Sequence, residues 1–343
     1  MSIGYILLAV LVFGVLIFIH EFGHFICARK CGVEIKEFAI GMGPQIFGWN
    51  SKTDNTKYSL RLLPIGGYVS MLGEDEESDS ENAFNNKSVW KRLLIIFAGP
   101  AMNLILGFIV MTIMVCLIGV LPSNTIHYDP ETTAISQSYG LQEGDKIIKV
   151  GGTRVHTWHE VSYEIMNRGY EPLNITVVRN GEKIELDDVV FPTVDSSGVL
   201  FGDVDFKPYA EEFNFINILK HSFFRSVSTV KMIVDSFVDL LTGRYGIEAM
   251  SGPVGITQTI GNFASMGLDY FLHIFVIITI NLGVFNLFPI PALDGGRLLF
   301  LLVEAIIGHP LNRKIEGYVH FVGLILMLGL ALLVTFNDIL RLF

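Results

Sequence analysis

Four apolar segments constrain this chain more than any other feature. Residues 3–27, 93–119, 271–291 and 318–336 are each long enough to cross a hydrocarbon core of about 30 Å as a helix. The second and third contain no Asp, Glu, Lys or Arg. Water is absent from that core, so a backbone there must satisfy its own polar groups, and a helix does so within one segment. Charged residues still make up 17% of the 343 residues beside 51% hydrophobic ones. That balance points to a membrane part joined to a water-soluble part. The first segment lacks the basic start and small-residue cleavage site of a signal peptide, and is expected to remain in the mature protein. A net charge of −10 leaves no basic face for nucleic acid. The three cysteines, Cys27, Cys31 and Cys116, lie in or beside apolar segments, which excludes a disulfide framework.

Orientation follows from basic residues. The loop after the first span carries Arg29, Lys30, Lys36, Lys52, Lys57, Arg61, Lys87, Lys91 and Arg92, while nothing before that span is basic. The positive-inside rule places this loop in the cytoplasm, and both termini and the stretch from about 120 to 270 outside. In that outer stretch, residues 174–191 read as a hairpin around Asn180-Gly181, a dipeptide suited to a type I′ turn. Residues 159–169 have helical spacing and end at a glycine. Residues 213–241 read as an amphipathic helix at the membrane surface, with a helix packed on the soluble domain as the alternative. The acidic run Glu74 to Glu81 reads as a solvated loop.

The chemistry concentrates at His20-Glu21-Phe22-Gly23-His24. On a helix, residues four apart share a face, so both imidazoles can bind one Zn²⁺ ion. The glutamate between them is placed to act as general base on the attacking water. Ionisable groups inside a span are costly and are usually functional. Zinc needs a third protein ligand, and Asp294 in the segment from Asn286 to Arg297 is the candidate, with Glu304 a weaker one. Read as continuous helix from Phe271, the third span brings Asp294 to roughly the depth of the histidines. Pro289 and Pro291 break that helix. His273 and His320 have no spacing partner and read as packing or interfacial residues. Gly99, Asn103 and Gly107 form a small-residue stripe that reads as close helix packing.

Taken together, HEFGH (20–24), NLFPIPALDGG (286–296), FAIGMGP (38–44), PIGGYV (64–69), FAGPAMN (97–103) and SGPVGI (251–256) resemble the site-2 protease family of intramembrane zinc metalloproteases, in its bacterial branch that includes the regulator of sigma-E protease. Residues 125–210, through GLQEGDKIIKVGG in particular, resemble a single PDZ domain.

The resemblance implies a polytopic α-helical membrane protein of four transmembrane helices. A membrane-associated β-hairpin loop and an inserted extracytoplasmic PDZ-like β-rich domain complete the expected fold. The expected domains are a first membrane half (1–119, with a cytoplasmic β-rich loop at 33–72), the PDZ-like domain (125–210), an amphipathic membrane-surface region (211–270) and a second membrane half (271–343). The resemblance further implies His20, His24 and Asp294 as zinc ligands and Glu21 as catalytic base. The expected substrates are membrane proteins with one transmembrane span, anti-sigma factors or signal-peptide remnants, cut in a bacterial cytoplasmic membrane with the active site toward the cytoplasmic side.

An unwound substrate can add as a strand to the loop 55–72. Asn286 and Asn281, with Gly66 and Gly67 of that loop, are assigned to substrate binding, interhelical hydrogen bonding being the alternative for the asparagines. Two other functions compete. A membrane-anchored PDZ scaffold with an inert metal site does not need Glu21. A zinc transporter needs polar residues spread along the spans, whereas here they gather at one depth.

Overall fold

The computed structural model describes residues 2–341 apart from 75, 77, 132, 197 and 247–249. Among the described residues, four helices are long and apolar enough to cross a membrane. The chain divides into two compact units, Met1–Gly107 with Ile247–Phe343, and Phe108–Gly246.

The first unit starts with α1 (Ile3–Lys30), where the Ser2 hydroxyl accepts the Gly4 N–H as a cap and Arg29 and Lys30 sit in the last turn. Those cations suit the negative end of the helix dipole, and the helix runs past the expected end at residue 27. A hairpin follows, β1 (Ile35–Asn50) against β2 (Lys57–Met71), antiparallel with several register shifts. Gly41 is required at one of these irregularities: its φ is +85°, and a Cβ there would stand 2.6 Å from the Leu63 carbonyl oxygen. The hairpin root packs Phe38, Val69 and Met71 against Phe25 and Ala28 of α1. Its outer half exposes Met42, Ile46, Phe47, Trp49, Leu62 and Leu63, an apolar surface of the kind a bilayer covers.

Across the root, the Glu37 carboxylate accepts from Ser59 Oγ at 2.6 Å, Tyr68 Oη at 2.8 Å and Arg61 Nη2 at 2.9 Å. Burial pushes this carboxyl up, but the three donors outweigh it and hold it down at about 2.

Next comes α2 (Val89–Ile118), whose last part lies in the second unit. The first unit is completed by α6 (Pro253–Met266), α7 (Leu268–Leu287), α8 (Asp294–Ile307) and α9 (Arg313–Leu340). Ala9, Val12 and Leu16 of α1 pack on Ile260 of α6. Asp338 of α9 caps α6, accepting from the N–H of Gly252 at 3.1 Å and of Gly255 at 2.8 Å. The third span departs from its expected course. Proline disfavours helical geometry in the residue before it, and α7 stops at Leu287, with Phe288 extended at ψ 143° ahead of Pro289. Asp294 therefore does not sit on a continuation of the span. It opens α8, a helix the sequence reading did not separate from it.

The second unit contains β3 (Leu121–His127), α3 (Ile135–Ser138), β4 (Lys146–Val150), β5 (Thr153–Arg154), α4 (Trp158–Arg168), β6 (Leu173–Arg179), β7 (Glu182–Val189), β8 (Thr193–Ser196), β9 (Val199–Gly202), β10 (Lys207–Glu211) and α5 (Phe215–Thr242). Its main sheet has the order β10-β3-β4-β6-β7, with β5 beside β4. Asn180 and Gly181, at φ 52° and 85°, close the β6–β7 hairpin as a type I′ turn demands. Thr157 and Glu160 form a capping box on α4. Ile126, Ile147, Val161, Ile165, Ile175 and Phe206 fill a conventional core.

One side of α5 meets α4: Tyr163 donates to Asp235 at 2.8 Å, and Lys231 pairs with Glu164 at 2.8 Å. Phe215, Ile216, Phe223 and Leu241 of α5 remain exposed. The stretch 211–270, read as one amphipathic region, thus divides at residue 246 between the two units.

Candidate metal centre

Helical spacing turns His20 and His24 of α1 to the same side, and both are buried. Their Nε2 atoms lie 3.2 Å apart. The turn after α7 brings Asp294 to them, its Oδ2 at 3.0 Å from His20 Nε2 and 3.3 Å from His24 Nε2. This is the group of three ligating side chains found among the described residues, with all donor atoms within 4.8 Å of one another.

The donor set fits zinc. Atoms about 2.0–2.1 Å from a tetrahedral ion stand roughly 3.3 Å from each other, close to the spacings seen here. Asp294 Oδ2 is buried and accepts no well-formed hydrogen bond, which is costly unless a cation shares it. His24 Nδ1 lies 2.9 Å from the Ile95 carbonyl oxygen. That oxygen can only accept, so the proton is on Nδ1 and the Nε2 lone pair faces the centre.

Close helix approach makes this possible. A Cβ on Gly99 of α2 would fall 2.2 Å from His24 Nε2, and one on Gly23 would fall 2.3 Å from the Ala98 carbonyl oxygen. The stripe read as packing is packing, and Gly99 and Asn103 pack directly on the two histidines. Asn103 is wholly buried, its Nδ2 placed 3.3 Å from His20 Nδ1. Sequence reasoning missed this contact, although the four-residue spacing of Gly99 and Asn103 matches that of His24 and His20.

His320 of α9 also supports the centre. Its Nδ1 accepts the Ala292 N–H at 2.9 Å, and Ala292 holds a φ of +74° two residues before Asp294. A non-glycine residue in that region needs such support. His320 thus pins the loop that carries the carboxylate, a more specific part than packing. Glu304 does not approach the centre as a ligand; it forms an ion pair with Arg92. Likewise Glu74, from the acidic run, pairs with Arg297 of α8 instead of being free in solvent.

Of the other residues singled out, Gly67 lies beside Glu21: a Cβ on Gly67 would stand 3.5 Å from Glu21 Cγ. Gly66 has a φ of +91° and packs on Met42. On α7, Asn286 donates its amide to the Leu282 carbonyl of its own helix at 2.9 Å, while Asn281 Oδ1 is buried without a hydrogen-bond partner.

The comparisons with known proteins cover the stretch that contains these residues. Residues 8–330 match peptidase family M50. A relative from Clostridium acetobutylicum is 36% identical over 99% of this chain and 98% of its own length. Zinc metalloprotease RasP of Geobacillus kaustophilus is 31% identical over 97% of each chain. The regulator of sigma-W protease RasP of Bacillus subtilis is 30% identical over the full length of both. The chain belongs to peptidase family M50, the site-2 protease family, and is a membrane zinc metalloendopeptidase.

Proposed function

We propose that His20, His24 and Asp294 hold the zinc ion, and that Glu21 is the general base in cleavage of single-span membrane proteins. Anti-sigma factors and signal-peptide remnants are the substrate classes proposed, the first in keeping with the name of the Bacillus subtilis relative. The observation that carries the reading is the convergence of three ligating atoms, from α1 and from the start of α8, within 4.8 Å of one another.

A peptide bond in a membrane helix is shielded, because its carbonyl is already hydrogen-bonded. The substrate must therefore be drawn into an extended form. Among the described residues β2 pairs only with β1, and its Gly66-Gly67 segment passes Glu21. A substrate strand laid along β2 would run beside the catalytic glutamate, with no side chain at Gly66 or Gly67 in its way. Asn286 and Asn281 would hold the extended backbone by side-chain hydrogen bonds. Zinc, when bound, polarises the scissile carbonyl and makes water a stronger nucleophile at neutral pH. Glu21 takes the proton from the attacking water and passes it to the departing amine.

In this reading the hairpin and the active-site end of α1 face the cytoplasm. The termini and the stretch from about 120 to 270 face outside, and residues 125–210 there form a PDZ-like domain that binds or filters substrates. Cleavage of a tagged signal-peptide remnant in detergent, by wild type and Glu21→Gln, with zinc measured on both, tests it. The expected result is zinc in both and product from the wild type alone. Equal cleavage by both would remove Glu21 from the chemistry.

A further inference from the structure

We infer that Asn103 is a positioning residue: its side-chain oxygen accepts the Nδ1–H of His20 and so fixes the tautomer and ring angle with which His20 meets the ion. The inference rests on the zinc reading of the site.

His20 meets Asp294 and His24 through Nε2, at 3.0 and 3.2 Å. To offer a lone pair there, a neutral imidazole must carry its proton on Nδ1. The neighbour of Nδ1 must then be an acceptor. As placed, the Asn103 amide turns Nδ2 toward Nδ1 at 3.3 Å and leaves Oδ1 buried with no partner. With a proton on Nδ1 that arrangement sets donor against donor. A half-turn of the amide, which exchanges two ends of nearly equal size, sets Oδ1 on the Nδ1–H and gives the orphaned oxygen its donor.

The result parallels His24, whose Nδ1–H is held by the Ile95 carbonyl of the same helix. The two histidines of α1 are then oriented by one helix, α2, through one backbone and one side-chain oxygen. Asn103 is also wholly buried in a span without Asp, Glu, Lys or Arg, where an unpaired amide is expensive. A carbonyl cannot be mutated away, so Asn103 is the half of this support that a substitution can remove.

The experiment measures zinc affinity of the full-length protein in detergent, by competition with a chromogenic chelator, for wild type, Asn103→Leu and Asn103→Asp. Leu keeps the shape and removes the acceptor; Asp keeps an acceptor and removes the amide donor. Loss of an outer partner of a histidine ligand typically lowers metal affinity about 10–100-fold. The expected result is a loss of that size in Asn103→Leu and affinity within about threefold of wild type in Asn103→Asp.

A role in packing alone does not predict rescue by a charged isostere. Zinc binding by Asn103→Leu at wild-type strength would overturn the inference, and so would a loss in Asn103→Asp as large as in Asn103→Leu. If Asn103→Leu does not fold, Asn103→Asp decides by itself: retained zinc supports the acceptor role and lost zinc refutes it. Failure of the wild type to bind zinc would instead refute the underlying reading of the site.

Discussion

Asp145 of the β-rich unit and Asp294 of the membrane unit each hold a carboxylate oxygen away from water, and the two are treated in opposite ways. Asp145, in the β-rich unit, is fully buried and fully satisfied: Arg179 reaches both its oxygens, at 2.7 and 2.8 Å, and the Gln142 N–H adds a third bond at 2.9 Å. Asp294, in the membrane unit, turns one buried oxygen toward two imidazole nitrogens and has no well-formed bond there. A carboxylate that serves the fold is surrounded by permanent donors. In the proposed zinc site, Asp294 is faced by groups whose own lone pairs are wanted, so its buried oxygen is satisfied only when a cation is shared.

Exchanging the two roles should produce the largest effects. Asp294→Ala is expected to abolish zinc binding and cleavage while leaving the unfolding of the β-rich unit unchanged. Asp145→Ala is expected to keep zinc and to destabilise the β-rich unit by about 3 kcal/mol, because Arg179 loses its partner. Zinc analysis and thermal melts followed on both variants would break the comparison if either substitution produced the other's result.

Second in size is the approach of α2 to the ligands. Gly99→Ala puts a methyl 2.2 Å from His24 Nε2 and should cost about 10–100-fold in zinc affinity. Gly107→Ala, two turns along the same stripe, crowds the buried Ile280 at 2.6 Å from its Cγ1, away from the histidines, and should cost stability but less than threefold in zinc affinity. Chelator competition on the pair separates a site from mere packing, and equal losses would erase the distinction.

A smaller effect is expected at Asn286. Its replacement by Ala should lower kcat/KM about tenfold, the worth of one hydrogen bond, and leave zinc affinity unchanged. Full activity in a cleavage assay would end its proposed part in holding substrate.

The smallest effect sharpens the comparison within one unit, since Glu37 is a satisfied carboxylate in the membrane unit. Its folded pKa of about 2 lies below the ordinary value of 4.5. Its contribution to hairpin stability is thus fully present above about pH 4.5 and is lost as the pH falls toward 2. Amide exchange in β1 and β2, corrected for intrinsic rates, should accelerate over that window in wild type. The added acceleration should be absent in Glu37→Gln.

These contrasts also show what the sequence could reveal. HEFGH pointed to a candidate metal centre because residue type and helical spacing together suggest two ligands and a base, and the structure brings the two imidazoles to one point with Asp294. The β6–β7 hairpin and α4 were legible from local signals, Asn180-Gly181 and the stop at Gly169. The break ahead of Pro289 was legible as well, but the start of α8 was not. An apolar run followed by prolines states that a helix ends, but not where the chain turns next. Asn103 and His320 stayed hidden for a different reason. Each acts on a residue far away in the chain, Asn103 on His20 and His320 on Ala292, and no spacing rule connects them. The pairing of Glu74 with Arg297 was invisible for the same reason.

X-ray absorption at the zinc edge, on purified full-length protein, tests the central claim most directly. The account predicts one zinc per chain, bound by two imidazoles and carboxylate or water oxygen at about 2.0–2.1 Å, with no sulfur in the coordination sphere. Sulfur scattering near 2.3 Å would place the metal on Cys27 and Cys31 instead, and would contradict the assignment of His20, His24 and Asp294.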